Sequence, residues 1–169
     1  GCMPSKAFIQ VANTYHERTK FSQFGITGTE QISVDYTKVM KHVQSLRDRF
    51  TDGMIENMEK YEIVYGLAKF LDANTLDVEG TEYKAKNFII ATGSTPRIPD
   101  MYQPFKDDIL TTDNFFDQSD LPESMAVVGL GAIGAELGQA LARLGIKVTG
   151  INLDDNISRL TDADILKNA

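Results

Sequence analysis

Residues 126–134, AVVGLGAIG in one-letter code, decide the fold class of this chain. The first three are apolar and belong to a predicted strand, Met125–Val128. Gly129–Gly134 then has the GxGxxG spacing of a tight turn, and apolar residues at helical spacing predict a helix over Ala135–Leu144. The next strand is predicted over Lys147–Leu153. A strand, a turn, a helix and a second strand in this order predict an α/β fold with parallel strands.

The glycine turn has the form that binds the pyrophosphate of a dinucleotide. Gly129 would make the tight turn, Gly131 would let the backbone approach the pyrophosphate, and Gly134 would let the helix pack closely on the strand. Free N–H groups and the positive end of the helix dipole would then face the phosphates. Ala132 and Ile133 join the three glycines as predicted nucleotide-binding residues. The alternative is a glycine turn that binds no ligand.

The end of the second strand favours NAD over NADP. An acidic residue that holds the adenosine ribose of NAD is expected about twenty positions after the turn, but Asn152 stands there. An asparagine can still hydrogen-bond a ribose hydroxyl, so Asn152 is predicted to bind the cofactor. Asp154 and Asp155 would repel a 2′-phosphate, whereas Arg159 could reverse the preference.

Three amphipathic helices supply the predicted core. The first covers about the first twenty residues, with Ala7, Val11 and Tyr15 on one face. Asp35 is predicted to cap a second, long helix. The apolar stripe of that helix is Tyr36, Val39, Val43, Leu46, Phe50, Met54 and Met58. The helix after the glycine turn is predicted to end at Gly145 and to bury Ile133, Leu137, Leu141 and Leu144.

Between the long helix and the glycine turn the pattern changes to alternation. Glu62–Leu71, Thr75–Glu79 and Tyr83–Ala85 are predicted strands. Asn87–Ala91 is short and continuously apolar, which is typical of a strand buried on both faces. Residues 99–122 contain few periodic positions and predict an irregular connection.

The composition argues against several classes of protein. A net charge of −7 disfavours nucleic-acid binding, which needs a basic face. No run of about 18 apolar residues is present to span a membrane. The first residues lack the basic and apolar regions of a signal peptide, so a cytoplasmic protein is predicted. The single cysteine, Cys2, excludes an internal disulfide and a multi-cysteine zinc site, and no metal site is predicted.

Three motifs that lie apart in the sequence resemble the same protein family. Residues 1–6, GCMPSK, resemble the second half of a redox-active disulfide motif. Residues 89–94, IIATGS, resemble a segment with the sequence ATG that lies beside FAD. Gly134-Ala135-Glu136, after the glycine turn, resembles a helix segment whose glutamate pairs with a lysine. In this order, and over nearly the whole chain, they are similar to the FAD-dependent pyridine nucleotide–disulfide oxidoreductases. The closest resemblance is to the dihydrolipoamide dehydrogenase group.

The resemblance implies a role for individual residues. Cys2 would be the flavin-facing cysteine of a redox-active pair, Lys6 the lysine beside the flavin N5, and Glu136 its partner at the border of the nicotinamide site. These three are the predicted catalytic residues. The residues predicted to contact FAD are Lys6, Ala91, Thr92 and Gly93. On chemical grounds alone, a thiolate at Cys2 would be favoured by a lysine one helical turn away and by the start of the helix. The alternative is a buried, inert cysteine.

The resemblance also implies an organisation and an activity. Residues 1–98 would be part of an FAD-binding Rossmann-like domain, residues 99–122 a connection, and residues 123–169 the first half of an NAD(P)-binding Rossmann domain. The parent enzyme would be a longer chain and a homodimer. Through FAD it would exchange electrons between NAD(H) and a small dithiol or lipoyl substrate. The 169 residues alone are expected to be inactive.

Two other interpretations stay open. A soluble pyridine nucleotide transhydrogenase moves hydride between nicotinamides without a disulfide, and Cys2 counts against it. The second interpretation is a catalytically incompetent fragment, or at most a partial nucleotide-binding module. Mercuric and glutathione reductases are less favoured, because Pro4-Ser5-Lys6 is closer to the dihydrolipoamide branch.

Overall fold

A computed structural model describes residues 2–153, 156–158 and 160–167. They form two compact units: the residues up to Asp48 together with those from Ile109 onward, and Arg49–Asp108. The domain boundaries predicted at residues 98 and 122 stay predictions. In chain order the helices and strands are α1 (Cys2–Glu17), α2 (Tyr36–Met58), β1 (Ala68–Asp72), β2 (Thr75–Val78), β3 (Thr81–Lys84), β4 (Ser124–Val128), α3 (Ala132–Arg143), β5 (Lys147–Ile151) and α4 (Ala163–Leu166). Short 3-10 helices cover Arg18–Phe24, Thr29–Gln31, Asp100–Asp108 and Phe115–Asp117.

The first unit contains the βαβ element that the glycine turn predicts. β4 and β5 pair in parallel over their full length, and α3 connects them. The predicted α/β fold class is confirmed. α3 begins at Ala132 and not at Ala135, because the Gly131 carbonyl already accepts the Ala135 N–H at 2.9 Å as the first helical hydrogen bond. β5 ends two residues earlier than predicted, because its partner β4 ends at the same level.

One hydrophobic core holds the first unit together. Its fully buried large side chains are Phe8, Met40, Val43, Leu141 and Leu144. α1 packs along α3 in this core. The ring of Phe8 meets the ring of Phe115 edge to face, with 5.5 Å between the ring centroids. Each of these buried side chains stabilises the unit by about 1.5–3 kcal/mol relative to an exposed one.

The inner face of α3 is as predicted except at its first turn. Leu141 and Leu144 are buried and Leu137 is partly buried. The prediction for Ile133 is wrong, because its side chain is 61% exposed. Ile133 lies in the first helical turn, whereas the buried residues of α3 begin only at Gly138. Periodicity identified the right side of the helix but not where along it the covering residues start.

The end of α3 is fixed by a glycine C-cap. Gly145 adopts φ +97°, where a glycine is preferred. Its N–H donates to the Ala142 carbonyl at 3.0 Å and the Ile146 N–H donates to the Leu141 carbonyl at 3.1 Å, which is a Schellman motif. The Tyr36 hydroxyl donates to the Leu144 carbonyl at 3.1 Å, and burial raises the pKa of Tyr36. The predicted stop at Gly145 is confirmed.

The start of α2 also follows the sequence, but its far end does not. The Asp35 carboxylate accepts the Lys38 N–H at 3.0 Å, and this bond holds the pKa of Asp35 below its ordinary value. The predicted stripe is wrong beyond Leu46, because Phe50 is 54% and Met54 is 61% exposed. An amphipathic pattern shows which side of a helix is apolar, but it does not supply a neighbour to cover that side.

The second unit contains a three-stranded antiparallel sheet in the order β1-β2-β3. Glu79 and Gly80 connect β2 to β3 with φ +51° and +87°, as a type I′ hairpin turn requires. The predicted strand Glu62–Leu71 forms only from Ala68 onward. The predicted strand Asn87–Ala91 is wrong, because these residues pair with no strand among the described residues.

The failed strand at Asn87–Ala91 has a physical reason. A strand buried on both faces forms only when neighbouring strands satisfy its backbone and helices cover its side chains. Ile89 is 94% and Ile90 is 74% exposed here. These apolar side chains need strands and helices to cover them, and the described part of the chain does not provide such elements.

None of the described helices combines the length and the hydropathy needed to cross a membrane.

The core makes a direct prediction for stability. Replacing Leu141, which is 1% exposed, by Ala should lower the free energy of unfolding by about 2–5 kcal/mol, because a cavity replaces packed methyl groups. Leu153→Ala is the matched control, since Leu153 is fully exposed and should change the value by less than about 0.5 kcal/mol. Urea unfolding of both variants measures the difference. Equal effects would contradict the assigned core.

Candidate functional site

The glycine turn between β4 and α3 has the backbone that its sequence predicts. Gly129 adopts φ +88°, a conformation that side chains with a Cβ rarely adopt. Its N–H donates to the Ile151 carbonyl at 2.7 Å, so the turn stays attached to β5. The chain therefore reverses within a few residues of the end of β4 and enters α3 directly.

The missing side chain at Gly134 lets the helix start close to the turn, and the missing side chain at Gly131 leaves one face of the turn open. A Cβ on Gly134 would lie 1.9 Å from the Gly129 carbonyl oxygen, which is far inside contact distance. Only glycine therefore lets α3 start so close to the turn. A Cβ on Gly131 would meet nothing within 4 Å, so this face of the turn is open to a ligand.

The first turn of α3 can hold an anion. In a helix the first N–H groups have no intrahelical acceptor, and here these belong to Ala132, Ile133 and Gly134. The positive end of the helix dipole lies at the same place. Together with the open face at Gly131, these groups fit the pyrophosphate of a dinucleotide.

The edge of the site at the end of β5 is organised by Asn152. Its side-chain oxygen accepts the Leu130 N–H at 3.1 Å, and its side-chain nitrogen donates to the Asn156 carbonyl at 2.8 Å. The Ser158 N–H donates to the Leu130 carbonyl at 2.7 Å, and no sequence pattern predicts this bond or the two bonds of Asn152. The predicted roles of Asp154, Asp155 and Arg159 lie outside the described residues.

Lys6 and Glu136 form an ion pair across 130 positions of sequence. The Lys6 ammonium lies 2.9 Å from one oxygen of the Glu136 carboxylate and 2.8 Å from the other. Lys6 is on α1 and Glu136 is in the second turn of α3, where the two helices pack together. The predicted proximity of the two side chains is confirmed. Both side chains are at least half exposed, so the pair contributes little to folding stability.

Cys2 is the first residue of α1 and is exposed, with no disulfide partner. In the described part of the chain its side chain is thus not buried, and its redox role stays a prediction. Residues four apart lie on one face of a helix, so Cys2 and Lys6 share a face of α1. The exposed Cys2 thiol and the Lys6 ammonium group therefore lie on one face of α1. The Glu136 carboxylate on α3 binds the ammonium group.

The residues predicted to contact FAD from the ATG segment lie in the second unit. Ala91, Thr92 and Gly93 are exposed and have no regular secondary structure. Gly93 adopts φ +72°, a conformation that favours glycine. The contact of these three residues with FAD stays a prediction.

Comparison with known proteins gives consistent results. The family model described as pyridine nucleotide-disulphide oxidoreductase matches residues 1–169. Dihydrolipoyl dehydrogenase of Trypanosoma brucei brucei is 33% identical over 98% of this chain and 36% of its own length. Mercuric reductase of Lysinibacillus sphaericus is 30% identical over 98% of this chain and 31% of its own length. The chain thus spans about a third of these relatives.

Among solved structures, the fold is similar to that of the HOCl-induced flavoprotein disulfide reductase RclA from Escherichia coli. The copper(II) complex of that protein gives a TM-score of 0.78 at 19% identity, over 99% of this chain and 35% of the other. At this identity the likeness concerns the fold alone.

The glycine turn provides a test of the nucleotide site. Gly134→Ala in the parent protein should weaken NADH binding by at least roughly tenfold, about 1.4 kcal/mol, because the new Cβ displaces the turn or the helix start. Gly53→Ala in α2 is the matched control, since its Cβ would meet nothing within 4 Å. Titration of NADH followed by fluorescence measures both affinities. Unchanged affinity in a folded Gly134→Ala variant would contradict the assignment.

Proposed function

The chain belongs to the pyridine nucleotide-disulphide oxidoreductase family, and we propose that it is part of an FAD-dependent enzyme of the dihydrolipoamide dehydrogenase type. Members of this family use FAD and NAD(H). The proposed reaction exchanges electrons between NAD(H) and a small dithiol or lipoyl substrate through a pair of cysteines. Since the chain spans about a third of its relatives, the activity is proposed for the parent protein.

The observation that carries this proposal is the ion pair between Lys6 and Glu136. It joins the helix that begins with the thiol to the helix that follows the glycine turn. A disulfide reductase needs its thiol and its nucleotide site within reach of one flavin. An isolated nucleotide-binding module has no need of such a connection, nor of an exposed thiol beside it.

The proposed roles follow from charge and position. Both oxygens of the Glu136 carboxylate accept hydrogen bonds from the Lys6 ammonium and so fix its position. Lys6 would lie beside the flavin, one helical turn from Cys2 on the same face of α1. Cys2 would be the flavin-facing half of the redox-active cysteine pair.

The proposed cofactor contacts come from separate segments of the chain. The NAD pyrophosphate would meet the turn and helix start formed by Gly129, Gly131, Ala132, Ile133 and Gly134. FAD would meet Lys6, Ala91, Thr92 and Gly93. The chemistry that these two cofactors supply is two-electron transfer.

The overall reaction is balanced without a further reactant. One dithiol and one NAD⁺ give one disulfide, one NADH and one proton. Two S–H bonds break and one S–S bond forms, while two electrons leave with one proton as hydride. The reverse reaction reduces a disulfide at the expense of NADH.

The proposed substrate follows from the first residues of the chain and not from its family. Relatives at similar identity are named dihydrolipoyl dehydrogenase and mercuric reductase, so membership of the family does not select a substrate. We favour a lipoyl dithiol because Pro4-Ser5-Lys6 is closer to the dihydrolipoamide branch. A homodimer is proposed for the parent protein on its resemblance to the family.

The thiol supplies the test of this function. Cys2→Ser in the parent protein should abolish NAD⁺-dependent oxidation of dihydrolipoamide, because no disulfide can then form at this position. The thiolate-to-flavin absorption band of the reduced protein should disappear as well. NADH-driven reduction of a dye that accepts single electrons is the control, since it requires no thiol and should persist. Retained dithiol oxidation would contradict the proposal and favour a transhydrogenase.

A further inference from the structure

Leu130, the residue between the first two glycines of the turn, is held from three directions. Its N–H donates to the Asn152 side-chain oxygen at 3.1 Å, and its carbonyl accepts the Ser158 N–H at 2.7 Å. Its side chain lies over Gly150 of β5, where a Cβ would come within 2.9 Å of a Leu130 methyl carbon. We call these three contacts, from Asn152, Ser158 and Gly150, the Leu130 clamp.

Asn152 connects the Leu130 clamp to the loop after β5. While its oxygen accepts the Leu130 N–H, its nitrogen donates to the Asn156 carbonyl at 2.8 Å. A carboxamide can accept on one side and donate on the other. An ionised carboxylate only accepts and would place its charge against the Asn156 carbonyl. The contacts therefore explain an asparagine at a position where the sequence pattern calls for an acid.

Gly150 serves the same arrangement from the strand. A larger residue here would push the Leu130 side chain off β5, since the nearest Leu130 carbons lie 2.9 and 3.1 Å from the position of a Cβ. Asn152 follows Gly150 by two residues and acts on the backbone of the same leucine. Side chain and backbone of Leu130 are thus both fixed by the end of β5.

We propose that Asn152 is a positioning residue of the dinucleotide site, which acts on the glycine turn through Leu130 and not on the adenosine ribose. This inference rests on the proposed function. Leu130 stands between Gly129 and Gly131, so its orientation sets that of the N–H groups which follow it toward the pyrophosphate. The pyrophosphate is common to NADH and NADPH, whereas only the ribose substituent distinguishes them.

The proposal is tested by the ratio of two affinities in the parent protein. Asn152→Ala should weaken NADH and NADPH binding by the same factor, roughly tenfold for the loss of its bonds to Leu130 and Asn156. Asn152→Asp should also weaken both, because it removes the donor to the Asn156 carbonyl. A loss confined to NADH, or tighter NADH binding by Asn152→Asp, would show a ribose ligand and overturn the proposal.

A second readout needs no cofactor. In the parent protein without a nicotinamide dinucleotide, hydrogen exchange of the Leu130 amide should become faster in Asn152→Ala, which removes its acceptor, but not in Asn152→Asp, which keeps one. Exchange of the Ser158 amide should become faster in both variants, because both lose the donor to the Asn156 carbonyl. Asn114→Asp is the matched control, since the Asn114 side-chain oxygen accepts the Thr111 N–H at 2.7 Å and an aspartate keeps that bond. It should leave both affinities and both exchange rates unchanged. Unchanged exchange at Leu130 in Asn152→Ala would overturn the clamp, whereas a wild-type protein that binds neither dinucleotide would contradict the proposed function.

Discussion

The packing of α1 along α3 is the interaction on which the arrangement of the site depends. Burial of Phe8, Leu141 and Leu144 in one core stabilises the first unit by about 1.5–3 kcal/mol for each side chain. The exposed ion pair between Lys6 and Glu136 contributes about 0–1 kcal/mol. The apolar contacts therefore bring the two charged groups together, and the ion pair is a consequence of the helix packing. The ion pair orients the Lys6 ammonium group and adds little to stability.

Backbone sterics impose the second constraint. Gly129 needs a left-handed conformation, and Gly134 must lack a Cβ for α3 to begin beside the turn. Both requirements are satisfied by glycine alone, and the first turn of α3 is left with outward-facing N–H groups. The end of β5 then fixes Leu130 from the other side through Gly150 and Asn152. The turn thus exposes mainly backbone groups, and the side chains around it set its shape.

Local signals predicted much of the fold, and features that depend on neighbours could not be predicted. The glycine turn, the Asp35 cap and the Gly145 stop depend on a few adjacent residues, and the structure confirms them. The failures at Ile133 and at Asn87–Ala91 concern surfaces whose covering elements no local pattern specifies. Within the site, the proximity of Lys6 to Glu136 was predicted from the resemblance to a family. The contact of Asn152 with Leu130 could not be predicted, because it joins residues 22 positions apart and leaves no local signal.

We propose that Lys6 and Glu136 act as one unit beside the flavin of the parent protein. A double-mutant cycle on the rate of flavin reduction by NADH tests this coupling. Lys6→Met and Glu136→Gln should each slow the reaction by at least about tenfold, about 1.4 kcal/mol of activation free energy. The double variant should be no slower than the slower single variant, because each change already breaks the pair. Lys20→Met, which breaks the equally exposed 3.0 Å ion pair with Glu17, should leave the rate unchanged. Effects of Lys6→Met and Glu136→Gln that simply multiply in the double variant would contradict the account.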